Sequence, residues 1–251
     1  MGPLVIGVAA AVVVLAWAVR RRRWTGFEGK TLWDWMSLLA VPVLLAAGAG
    51  LINLGQNRLA DARAEESAVQ AYFGRISVLV LSDGDTTATD AIGSAQTAAV
   101  LRTVSGERAG RILLFLDEMD LLARYDVSYE GLDLRSAELK DVDLAGAEFE
   151  DADLAGADLE GANLAGADFE GANLSGADLK DAVLSGASFE DAELGRALLD
   201  HADLRGADLR EVRGLSAARL AEACFDATTL LPDGLGDVGA DPDACTGSAE
   251  D

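Results

Sequence analysis

The side chains of this sequence best able to do chemistry are carboxylates, and they recur at fixed spacing. Glu150, Glu170 and Glu190 stand twenty residues apart, accompanied by Glu148, Asp151, Asp168 and Asp191, with no basic residue next to any of them. The whole chain follows suit: 43 acidic against 20 basic residues among 251, a net charge of −23. Charge of this sign opposes direct nucleic-acid binding and favours cationic partners. Paired carboxylates do acid–base work only where they converge in a concavity. Stacked on a flat surface they attract basic protein surfaces instead. Such a surface would also meet divalent ions, but without the roughly six to eight converging oxygens of a tight Ca²⁺ site. The single histidine, His201, falls at an outward turn position, and no Gly-rich phosphate loop, nucleophile elbow or metal-ligand spacing is present. The sequence therefore predicts no catalytic residue, no cofactor and no metal. It assigns the seven carboxylates to a protein partner of basic character, or, on the plainer reading, to a solvated face.

Those carboxylates are positioned by a five-residue repeat. From Leu132 to Glu211 the chain reads Ala, then Asp or Asn, then Leu or Phe, then two variable residues. The central residue recurs at every fifth position from Leu134 to Leu209, sixteen times without an insertion. Chance does not hold register over such a length, and an internal period decides the fold before any other argument. Aromatic residues are only 6% of the chain and Gly numbers 27, which fits a small-residue, repetitive core rather than an ordinary aromatic one.

This run, with Asp or Asn before the Leu, resembles the pentapeptide-repeat family. Lys30-Thr31-Leu32-Trp33-Asp34-Trp35 with the apolar run after it, Ala71-Tyr72-Phe73, and the stretch from Val100-Leu101-Arg102 to Gly106-Glu107-Arg108 resemble a bacterial membrane-anchored subgroup of it. The resemblance covers most of residues 30 to 232. It implies a mainly β fold, a right-handed quadrilateral β-helix of about four coils, preceded by transmembrane and linker α-helices. It implies no catalytic residues. Phe149, Phe169 and Phe189 replace Leu at twenty-residue intervals, with Tyr129 twenty before them. If four repeats make a coil, these rings stack on one inner face about 4.8 Å apart. Gly at the corners, such as Gly146 and Gly166, eases the turns.

Sorted by face, the carboxylates become a strip beside a compensated neighbour. Glu150, Glu170 and Glu190 stack outside the Phe column. The adjacent face shows Lys140, Glu160, Lys180 and Asp200, alternating in sign. The remaining two faces carry small residues such as Ala145, Ala155, Ala165, Ser175 and Ser185.

Ahead of the repeat lie two apolar runs, residues 2–19 and 35–54, separated by Arg20-Arg21-Arg22-Arg23 and by Trp24, Trp33 and Trp35. Each is long enough to cross a bilayer, and the basic loop between them is expected in the cytoplasm. That arrangement makes a multi-pass protein of the cell membrane, in lipid contact through both runs, with the repeats outside the cytoplasm. In the alternative, one run lies along the membrane and the repeats are cytoplasmic. The expected divisions are a first span with its basic flank (1–24), a loop and second span (25–54), a helical stalk and cap (55–128), the repeats (129–214), a C-terminal cap helix from Ser216 to Cys224 (within 215–232) and a disordered acidic tail (233–251). Residues 56–81 read as an amphipathic helix with Val69, Phe73, Ile76 and Val80 on its apolar face, Asp83 to Thr89 as a loop, and two further helices fall near 90–105 and 107–123. With the repeats outside, Cys224 and Cys245 would be free to pair.

Two functions remain from this reading. One is a membrane-tethered structural module presenting a rigid acidic surface to a protein. The alternative, implied by resemblance to soluble repeat proteins that imitate DNA, is a binder of a topoisomerase or another nucleic-acid-binding protein, which requires cytoplasmic repeats. Homo-oligomerisation is left open by both.

Overall fold

The computed structural model describes residues 56, 59–80, 86–125 and 127–235. The chain divides into two compact units, 1–59 and 60–251, and the described residues lie almost wholly in the second. Among them no helix is long and apolar enough to cross a membrane. Both expected spans, 2–19 and 35–54, lie outside the described residues, as does the tail from 236 onward.

The second unit begins with helices. In α1 (59–80), Val69, Tyr72 and Ile76 fall on one stripe at spacings of three and four and are buried. Val80, expected on that stripe, is 36% exposed. Next comes α2 (Thr86–Leu101), which overturns the loop expected at Thr86 to Thr89 and the expected end at 105. A β-branched residue lowers helix propensity by only about half a kcal/mol. Packing of α2 on α1 outweighs that: Tyr72 and Thr97 share a buried hydroxyl–hydroxyl bond of 2.7 Å, and burial pushes the Tyr72 phenol up to about 12.

Two shorter helices, α3 (Gly106–Glu118) and α4 (Leu122–Tyr125), replace the single one expected over 107–123. The break is a Schellman turn. Asp120 takes a left-handed φ of 54°, its N–H donates to Asp117 C=O at 2.9 Å, and Leu121 N–H donates to Leu116 C=O at 2.8 Å. Within α3, Ile112, Leu113 and Leu116 are buried, and Phe73 of α1 meets Phe115 with ring centroids 4.8 Å apart. Glu65 of α1 binds the start of α3, accepting from Ser105 Oγ at 2.8 Å and from Arg108 Nη1 at 3.0 Å.

The repeat then winds as a four-sided coil. Parallel bridges join residues twenty apart on each side: Asp133 to Asp153, Glu138 to Asp158, Asp143 to Asn163 and Glu148 to Asp168, and so onward. No longer strand forms among the described residues, because each side contributes one bridged residue before the chain turns. On each side three backbone bonds join successive coils, one of them from the corner residue, as Asp141 N–H to Glu160 C=O (3.0 Å). Leu139 N–H, for example, donates to Asp158 C=O (2.7 Å), and Asp158 N–H to Ala137 C=O (2.9 Å). Leu134 through Leu209 point inward with the alternate Ala residues, nearly all fully buried. The expected aromatic column is present. Phe149 and Phe169 stack at 5.1 Å and 3°, Phe169 and Phe189 at 5.1 Å and 14°, and Tyr129 caps the column 4.8 Å from Phe149. Corners take left-handed backbone, held by Gly at most of them (φ of 66–72° from Gly146 through Gly186) and by Ser136, Asp141, Asp151, Asp181, Asp191, Arg196 and His201 at the rest.

Both coil ends are covered. At the start, α3 lies directly on the first coil: a Cβ on Gly106 would come within 1.8 Å of Arg135 C=O, and one on Gly110 within 3.0 Å of Ala137 Cβ. At the far end, the expected helix from Ser216 to Cys224 shrinks to α5 (Ala217–Leu220). Ser216 stands at its N-cap in extended backbone, with no capping bond from its hydroxyl. The chain then re-enters the ladder, bridging Asp203 to Cys224 and Asp208 to Leu230. The separations of 21 and 22 residues absorb one and two extra residues. Phe225 is buried, whereas Leu230 is 43% exposed. Cys224 is disulfide-bonded; Cys245 lies outside the described residues.

Candidate protein-binding face

The Asp or Asn that precedes each core Leu has a local task. Its Oδ1 accepts the N–H two residues on, closing the turn: Glu160 N–H donates to Asp158 at 3.4 Å, Glu170 N–H to Asp168 at 3.0 Å and Ala165 N–H to Asn163 at 3.3 Å. Asn also reaches the coil before, with Asn163 Nδ2 donating to Asp143 at 2.8 Å and Asn173 Nδ2 to Asp153 at 3.0 Å. Much of the acidity is therefore architectural. The alternation of turn-forming Asp and Asn carried this signal.

The seven carboxylates assigned to a partner separate on this basis. Glu150, Glu170 and Glu190 are exposed and stack on successive coils outside the Phe column. Their charges repel: the Glu190 and Glu150 carboxylates on either side hold the Glu170 carboxyl above the usual range. Glu148 is exposed at the bridging position. Half-buried Asp168 is engaged in its own turn. Asp151 occupies a left-handed corner with φ of 55°, and Asp191 another with φ of 54°. Asp191 is paired with Arg213.

The strip has ends that sequence reading passed over. Glu130, exposed and twenty before Glu150, lengthens it, since Gly131 N–H donates to Glu150 C=O in the same register. Arg210, twenty after Glu190, closes it. Its guanidinium forks onto Asp208 at 2.6 Å, and Asp208 in turn is held below the usual carboxylate range chiefly by that bond. Counting twenty onward from Glu190 would have found Arg210. The neighbouring face is compensated as expected. Lys140 reaches Glu160 across coils at 2.5 Å, while Lys180 pairs within its own turn with Asp178 at 3.1 Å.

His201 is exposed, 3.7 Å from Asp181, in no enclosure. No group of three or more His, Cys, Asp or Glu among the described residues is placed to hold a metal ion. Two grooves are formed in part by the helices. One of about 230 Å³ runs between α1 and α2, and one of about 360 Å³ is lined by Glu66, Glu107, Arg108, Arg111 and Glu138. None of the seven carboxylates lines either. The strip is thus an electrostatic surface that lies outside both grooves.

The family model described as pentapeptide repeats matches residues 137–176 and 177–213, in eight copies. No curated protein matches the chain. Among solved structures, the chain is similar to a pentapeptide-repeat protein of the cyanobacterium Cyanothece 51142 (30% identity over 39% of this chain and 65% of that one, TM-score 0.34). It is also similar to HetL, a pentapeptide-repeat protein involved in heterocyst differentiation regulation in Nostoc sp. strain PCC 7120 (37% identity, 39% and 41%, TM-score 0.31). A third is QnrB1, a plasmid-mediated fluoroquinolone resistance protein (18% identity, 46% and 76%, TM-score 0.30). The chain spans less than two thirds of the length of both cyanobacterial proteins. The stretch from 137 to 213, which builds the coil and carries the strip, is a run of pentapeptide repeats of that family.

Proposed function

We propose that this protein is a non-catalytic scaffold, tethered to a membrane through residues 2–19 and 35–54, whose anionic strip captures a basic helix of a protein partner. The coil takes the right-handed sense of its family, and the repeats stand outside the cytoplasm. The observation that carries the binding reading is the ladder of Glu150, Glu170 and Glu190, mutually repelling yet held in line by the stacked rings beneath. Its step follows the coil, about the 5.1 Å of those rings. Cations three or four residues apart on a helix lie about 5–6 Å apart. Alternate residues of a strand lie about 6.6 Å apart and drift out of register within a few rungs.

The test is a triple reversal, Glu150→Lys, Glu170→Lys and Glu190→Lys, in the full chain. All three side chains are exposed, so folding should persist. Partner capture from the source membrane should be lost, and wild-type capture should weaken steeply with salt. Identical partners for variant and wild type would reduce the strip to a solvated face. A reporter fused after residue 232 decides the side of the membrane. A cytoplasmic signal would overturn the extracytoplasmic placement of the repeats and favour the DNA-imitating alternative.

A further inference from the structure

We draw no further inference here: the strongest candidate, the groove between α1 and α2 over Ala68, Tyr72 and Val100, carries nothing because nothing in the structure shows what would cover it.

Discussion

Arg219 donates from Nη1 to the Ala197 carbonyl at 2.6 Å, where a ladder bond would otherwise fall. On the same side of earlier coils, the carbonyls of Ala137, Ala157 and Ala177 each accept the N–H of the residue twenty-one further on. After Ala197 that place in the chain is taken by α5, and no backbone donor arrives. A guanidinium supplies the missing bond. Arg219→Ala should strip a part-buried carbonyl of its partner at a cost of about 1–3 kcal/mol. Urea unfolding should show a lower midpoint, and limited proteolysis should cut first within 217–230. Unchanged values for both would mean that water serves the carbonyl equally well.

The Phe column runs fully buried through the core of the coil. Phe169 is fully buried between two rings at 5.1 Å. Phe169→Ala opens a cavity that neighbouring coils have little means of closing, since the ladder fixes their spacing. A loss of about 3–5 kcal/mol is expected. Phe169→Leu, which restores the residue of most other repeats, should recover much of it. Thermal melts of the three proteins check this ordering, and a Phe169→Ala variant melting with the wild type would contradict the buried stack.

Glycine has two distinct roles in this chain, and substitutions should separate them. Gly166 sits at a corner with φ of 68° and open space around a would-be Cβ, so Gly166→Ala is penalised by backbone strain alone, about 1–2 kcal/mol. Gly106 lies at the start of α3, where a Cβ would strike the Arg135 carbonyl, part of the backbone. Relief requires α3 to lift off the first coil. Gly106→Ala should therefore cost more than Gly166→Ala and should speed amide exchange in α3 specifically. Equal costs, with exchange unchanged, would show that α3 adjusts without leaving the coil.

How much of this was legible in the sequence depended on whether the signal was periodic. The twenty-residue return of Phe149, Phe169 and Phe189 disclosed both the coil size and the ring stack, because a strict period leaves each side chain one place to go. Contacts between distant, aperiodic residues carried no such mark. Nothing around Gly106 signals its approach to Arg135, twenty-nine residues on. The helix from Thr86 was hidden because threonine-rich sequence reads as a loop until the Tyr72–Thr97 bond joins α2 to α1. The strap after Leu215 was hidden for a related reason: Cys224 and Leu230 enter the ladder through backbone bonds, which any residue except proline can make. Of the candidate site, the ladder glutamates were legible. The turn-closing work of Asp168 and the pairing of Asp191 with Arg213 were not, and they remove two of seven carboxylates from the free strip.

The ladder also predicts a pH dependence of definite sign. The carboxyl of Glu170 is raised in the folded protein by Glu190 and Glu150, and the unfolded chain separates these charges. A carboxyl whose folded value exceeds its unfolded one binds its proton more tightly when folded. Its contribution to stability is therefore fully present below the unfolded value, near about 4.3, and is lost as pH rises through the raised folded value. Acidic groups held low oppose this at more acidic pH: Asp133, Asp203 and Asp208, each bonded to the Arg two residues on, lose stabilisation as pH falls through their depressed values. The two effects overlap in the wild type, so the comparison must be made against Glu170→Gln, which removes only the first. Melting temperatures of both proteins, measured from neutral pH down to about 4 at low salt, should differ most at neutrality, with the Gln variant the more stable, and should converge on acidification. A constant difference across the range would mean that Glu170 does not feel its neighbours, and the aligned ladder would then lose its electrostatic support.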